Sequence, residues 1–109
     1  MLANFHFFTF ASPPRFYALA GSVPPKPGLL RVAPGTGARV ALEVWEMPVR
    51  NYGSFVALIP PPLGIATLRL CDGSSVQGFV CEPLGLEGAR DISEFGSWRA
   101  YLQSLPAAP

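Results

Sequence analysis

Apolar and polar positions along this 109-residue chain alternate over short stretches only. Residues 4–10 (NFHFFTF) and 15–20 (RFYALA) read as aromatic-rich strands, parted by Ser12-Pro13-Pro14. Residues 22–28 (SVPPKPG) read as a stiff loop unable to join a ladder, because proline has no N–H to donate. A short strand at 29–32 follows, then a plain turn at Pro34-Gly35-Thr36-Gly37. Residues 39–46 alternate, with Val40, Leu42 and Val44 on one side and Arg39, Ala41, Glu43 and Trp45 on the other. Pro48 suits the first turn of a helix, with Tyr52, Phe55, Val56 and Ile59 at helical spacing before Pro60-Pro61-Pro62 stops it. Residues 65–70 and 76–82 make a hairpin around Asp72-Gly73, with Ser74 and Ser75 extending the turn. Asp91 and Glu94 stand in capping-box positions, and Ile92, Phe95, Trp98, Leu102 and Leu105 give the helix after them one apolar face. Strands outnumber helices. The pattern predicts an α+β fold, a small mixed, mainly antiparallel β-barrel with two short helices.

Composition narrows the function. The chain is short enough to be one domain, residues 1–109, with 103–109 as a tail, and half of it is hydrophobic, enough for a core. Eight Lys and Arg against seven Asp and Glu leave no charge excess of the kind that nucleic acid demands. No apolar run approaches the roughly 18 residues that span a bilayer, and residues 1–10 lack a basic n-region and a cleavage site, so they read as a buried strand. A cytoplasmic protein is expected. Cys71 and Cys81 flank the hairpin and read as structural thiols, with a cross-strand disulfide as the lesser alternative. One histidine, His6, and two separated thiols do not make a metal-ligand set, and no cofactor is expected.

Four blocks of residues resemble the C-terminal domain of allophanate hydrolase. They are Ala18-Leu19-Ala20-Gly21 running into Pro24-Pro25-Lys26-Pro27-Gly28-Leu29; Glu43-Val44-Trp45 with Met47-Pro48; Ile59-Pro60 and Pro62-Leu63-Gly64-Ile65 with the hairpin and Gly78-Phe79-Val80-Cys81-Glu82; and Gly88-Ala89-Arg90-Asp91-Ile92, Phe95-Gly96 and Trp98-Arg99-Ala100-Tyr101-Leu102. The resemblance covers about residues 15–102. It implies a γ-glutamylcyclotransferase-like fold and a place in urea breakdown. In the full enzyme an amidase domain turns allophanate into N-carboxycarbamate, and the C-terminal domain is associated with decarboxylating that product.

Three departures qualify the resemblance. The Ser–Ser–Lys chemistry of the amidase is not found, since Lys26, in a proline-rich loop, is the only lysine. Family members open with a strand that ends in a Gly- and His-containing loop; here His6 lies among Phe5, Phe7 and Phe8 with no glycine near, as in an N-terminally divergent or shortened relative. Ala57 stands where cyclotransferases of this fold carry a Glu, and an alanine cannot move a proton, so that activity is disfavoured.

Decarboxylation asks for a carboxylate held against a poorly solvated surface and a donor for the charge left behind. The candidate proton-handling residues are His6, Glu43 and Glu82, although a strand histidine or a strand glutamate paired with arginine is the simpler reading of each. Arg99 leads the anion partners, ahead of Arg90, Arg69 and Arg31. Gly64 and Ile65 line a pocket if the Gly64 backbone approaches a ligand, and Tyr101 is a contact beside Arg99, with core or rim packing the simpler role. The expected ligand is a small carboxylate. A non-catalytic module for dimerisation or for docking an amidase or carboxylase subunit is the alternative; under either reading a homodimer is expected, because a missing opening strand would leave an edge free to pair with a second copy.

Overall fold

The computed structural model describes residues 3–21 and 24–106, with side chains from Thr9 onward. Among these residues the strands form three antiparallel sheets. β1 (Ala3–Thr9) pairs with β4 (Ala41–Glu46), β2 (Arg15–Ala18) lies between β3 (Pro27–Leu30) and β7 (Arg90–Asp91), and β5 (Leu63–Arg69) pairs with β6 (Ser75–Cys81). α1 (Val49–Ala57) joins β4 to β5, and α2 (Trp98–Ser104) follows β7. No helix among the described residues is long and apolar enough to cross a membrane.

Among the described residues the expected closed barrel is not found. All the described pairings are antiparallel, and they stop at proline-rich segments such as 12–14 and 60–62, where the donor needed to carry a ladder on is missing. One isolated bridge, Phe10 to Leu70, ties the end of β1 to the hairpin, flanked by Ala11 N–H to Arg69 O at 2.9 Å and Cys71 N–H to Thr9 O at 2.9 Å. The expected strand at 4–10 is seen as backbone in β1; its expected burial lies outside the described side chains.

Two other expectations change. The loop at 22–28 contributes Pro27 and Gly28 to β3, although Ser22 and Val23 lie outside the described residues. Leu19 N–H donates to Lys26 O at 3.0 Å, which makes Ala18 opposite Pro27 a non-hydrogen-bonded pair. The missing N–H of Pro27 therefore points away from β2, and the ladder tolerates it. The single helix expected from Asp91 onward is two pieces. Asp91 does accept the Ser93 N–H, at 2.9 Å, but only the 3-10 turn Ser93–Phe95 follows. Gly96 ends that turn at φ 74°, where a side chain would be strained, and Ser97 starts α2 afresh by accepting the Ala100 N–H at 3.1 Å.

The core forms where these pieces meet. Phe16, Val40, Ile92 and Tyr101 are buried, with Phe10, Ala18, Leu29, Phe95 and Trp98 packed around them. β7 is only two residues long, so it cannot complete the ladder on β2. Ser93 completes it instead: its hydroxyl accepts the Phe16 N–H at 2.8 Å, while Ile92 N–H donates to Phe16 O at 2.7 Å. Across the same pair Arg15 reaches Asp91 Oδ2 with Nη2 at 2.7 Å and Nε at 3.0 Å. The alternation at 39–46 is blunted. Val40 is buried, but the two-stranded sheet leaves β4 half-covered on both faces, and Trp45 stays exposed. The two cysteines lie beyond opposite ends of the hairpin, Cys81 facing Leu63 and Cys71 at the turn, so a disulfide between them is sterically excluded.

Two outcomes follow. Ser93→Ala leaves the buried Phe16 N–H without its acceptor and lowers stability by about 1–3 kcal/mol, read from the urea midpoint. For Asp91, burial pushes the carboxyl up, but bonds from Ser93 and from Arg15 outweigh it and hold it below the usual aspartate value. A depressed folded-state value contributes stability above the unfolded value and loses it as pH falls through the folded one. Urea midpoints below about pH 4 therefore fall less steeply in Asp91→Asn than in the unaltered protein; identical acid limbs would refute the assignment.

Candidate functional site

The sequence-derived candidates do not gather at one place. Glu43 on β4 and Arg99 on α2 do meet: Nε donates to Oε2 at 2.6 Å and Nη2 to Oε1 at 2.9 Å. The two-pronged contact and the charge of Glu43 raise the Arg99 guanidinium above its ordinary value. Glu43 is mostly covered at 19% side-chain exposure, whereas Arg99 is open at 64%. One edge of the guanidinium, through Nε and Nη2, is therefore already committed to the protein's own carboxylate, and the pair is close to neutral toward an incoming anion.

His6 stands opposite Val44 in the β1–β4 ladder, while Phe7 stands opposite Glu43; the side chain of His6 lies outside the described residues. The register thus does not set His6 across from Glu43. Tyr101 is buried, with its ring 5.3 Å from Phe95 and 5.4 Å from Trp98 between centroids, and Arg90 stands over it at 5.9 Å. It packs in the core. Glu82 is exposed at the end of β6, on the hairpin sheet rather than near Glu43. Gly64 pairs with Val80 and Ile65 with Phe79; a Cβ at Gly64 would meet no atom within 4 Å, so its backbone borders open space. Among the other arginines, Arg31 donates to Thr67 O at 2.6 Å.

A different group of residues does enclose a concavity. A cleft of about 440 Å³ is walled by Leu19, Ala20 and Gly21 after β2, Lys26 before β3, residues 60–62 with Leu63, and Leu84, Gly85 and Glu87 beyond β6. Local chemistry explains the wall. Proline rings at 60–62 present no donor, and the chain is pinned beside them by Glu82 N–H to Pro62 O at 2.8 Å and Gly85 N–H to Glu82 O at 2.9 Å. Gly85 must be glycine in this arrangement, because a Cβ there would overlap the Pro62 ring and press on Cys81 Sγ. Burial, with the adjacent Glu82 charge, pushes the Cys81 thiol up, as suits an inert packing group behind the cleft.

The site residues named from the sequence, Gly64, Ile65 and Glu82 among them, are not in the lining of this cleft, and Lys26 and Glu87, which do line it, were not among them. The signal available was that Lys26 is the only lysine and sits among prolines; nothing local marked Glu87, a rim residue of a 3-10 turn. Among the described residues no three His, Cys, Asp or Glu side chains cluster as a metal site would require.

Comparison with known proteins bears on the family and the fold. Residues 8–103 match the model of the allophanate hydrolase C-terminal domain. The urea amidolyase of Lachancea kluyveri is 39% identical over 94 residues, which are 84% of this chain and 5% of that protein. Among solved structures, a variant of Kluyveromyces lactis allophanate hydrolase superposes with a TM-score of 0.88 at 35% identity, over 96% of this chain and 18% of that one. A uropathogenic E. coli-specific protein superposes with a TM-score of 0.81 at 28% identity, over 96% of this chain and 80% of that one.

The fold and the match together define an α+β domain of the kind found within allophanate hydrolase and urea amidolyase. The chain belongs to the allophanate hydrolase C-terminal domain family. It spans about one-twentieth of the Lachancea relative and under a fifth of the Kluyveromyces one.

The Glu43–Arg99 contact is open enough to be a tie of modest strength. Arg99→Met shifts the urea midpoint only slightly; a large drop would mean that α2 depends on the pair for docking.

Proposed function

We propose that this domain binds a small carboxylate in the proline-walled cleft and serves the decarboxylation of N-carboxycarbamate in urea breakdown. The observation that carries the reading is convergence: segments 18–21, 24–29 and 59–65, which carry the family likeness, all reach this one cleft. Its volume of about 440 Å³ admits such a ligand with room to spare.

The chemistry follows from the lining. The Lys26 ammonium pairs with the carboxylate that the product keeps. The second carboxylate lies against Pro60, Pro61, Pro62, Leu19 and Leu63, which solvate it poorly and favour its departure as neutral CO2. The C–N bond breaks with its electron pair left on nitrogen, and the nitrogen takes up a proton through the open mouth of the cleft, where Glu87 stands. His6, Glu43 and Arg99 lie outside this reading, on β1, β4 and α2.

A second reading, a docking or dimerisation module for an amidase or carboxylase partner or a second copy, is favoured by α1. None of its residues is buried, and Val49 and the following Leu58 are 90% and 80% exposed.

Malonate has the two-carboxylate shape of N-carboxycarbamate and cannot lose CO2 under the same conditions. Calorimetric titration with malonate shows binding that weakens about tenfold or more in Lys26→Met and stays within about twofold in Arg99→Met. Equal binding by Lys26→Met and the unaltered protein would remove the cleft from consideration. CO2 release from N-carboxycarbamate generated in situ by an amidase rises when the domain is added; an unchanged rate with malonate binding intact would leave carriage of the ligand and reject catalysis.

A further inference from the structure

The part of the proline-walled cleft beside Lys26 is built over a missing side chain. Gly28 is buried in β3, opposite Tyr17 of β2. A Cβ there would lie 2.8 Å from Leu19 Cδ2, and 3.2 and 3.3 Å from Cys81 Cβ and Sγ. The first distance is an overlap, so Leu19 keeps its place only because Gly28 carries no side chain. Leu19 N–H donates to Lys26 O at 3.0 Å, which carries the β2–β3 register past the Tyr17–Gly28 pair and sets Leu19 beside Lys26. Both residues line the cleft. Buried Cys81 closes the inner side of Gly28, so a displaced Leu19 has the cleft itself as the space to move into.

We propose that Leu19 sets the length of carboxylate this cleft accepts, with Gly28 as the residue that positions it. The proposal rests on the reading that a carboxylate binds beside Lys26. With Leu19 lying flat on Gly28, the cleft keeps about 440 Å³, inside the roughly 300–1,000 Å³ of pockets that hold drug-sized molecules. A diacid as short as N-carboxycarbamate leaves much of that space unfilled. The ligand class therefore extends to longer dicarboxylates, whose methylenes lie along Leu19, Leu63 and the proline rings while one carboxylate stays on Lys26. Leu19 acts as a specificity residue through its bulk, and Gly28 acts through Leu19.

The test is calorimetric titration of the full chain with malonate and with the longer diacid glutarate. The unaltered protein binds glutarate within about threefold of malonate. Gly28→Ala drives Leu19 into the cleft and weakens glutarate about tenfold or more, while malonate stays within about twofold, because a methylene or two in an apolar slot are worth that much. Leu19→Ala added to Gly28→Ala restores glutarate. Leu19→Trp, at a half-buried position and with Gly28 intact, gives the same selective loss of glutarate and carries the test if the Gly28 variant does not fold. The proposal is overturned if Leu19→Trp weakens both diacids alike or neither, if the folded double variant does not recover glutarate, or if the unaltered protein takes malonate and rejects glutarate. Failure of the unaltered protein to bind malonate removes the cleft and this proposal together, whereas malonate binding with the order of affinities unmoved removes only the role of Leu19.

Discussion

The backbone of Phe16 is the point from which the rest of the structure is held. Its N–H and C=O both face the segment Arg90–Ser93, and β7 is too short to satisfy them as a strand would. The Ser93 hydroxyl and the amide of the fully buried Ile92 take over. A buried amide without a partner is costly, so this exchange fixes the distance between β2 and the last third of the chain. Once that distance is set, Tyr101 and Trp98 have a surface to pack on, and Phe16 takes Trp98 edge-on at 6.2 Å.

How much of this was legible depended on how local each signal was. Asp72-Gly73 marks its own turn: the Asp72 carboxylate accepts the Ser74 N–H at 2.9 Å, and Gly73 takes φ 90° within the same few residues. The hairpin was accordingly read to within two residues at each strand end. The capping signal at Asp91 was real as a hydrogen bond and misleading as a helix start, because it cannot report the left-handed Gly96 five residues on. Closure into a barrel is a property of all the strands at once, and proline placement at their ends decided it.

The candidate site shows the same division more sharply. Glu43 and Arg99 were each named from their surroundings, yet their mutual contact spans 56 positions and depends on how α2 is docked. Lys26, Pro62 and Glu87 come together only because segments far apart in the chain are pinned by main-chain bonds to Pro62 and Glu82. Family likeness reached Lys26 and Pro62, though not Glu87, by a different route. It recognises loops by their order along the chain, and the loops turn out to be neighbours in space.

α1 carries a consequence of another kind. A nine-residue helix with no fully buried side chain, and with no side-chain cap at Pro48, is held to the domain by little more than half-buried Phe55 and Val56, with the Phe55 ring 6.0 Å from that of Phe79. Peptides of that length are marginal as helices in water. The segment therefore belongs to the weakest cooperative unit of the domain, and its amides exchange with solvent by local opening long before the Phe16–Ile92 region unfolds. Evolution can lengthen, shorten or re-surface it at almost no expense to the rest, which makes it the part of this architecture freest to differ from one relative to the next.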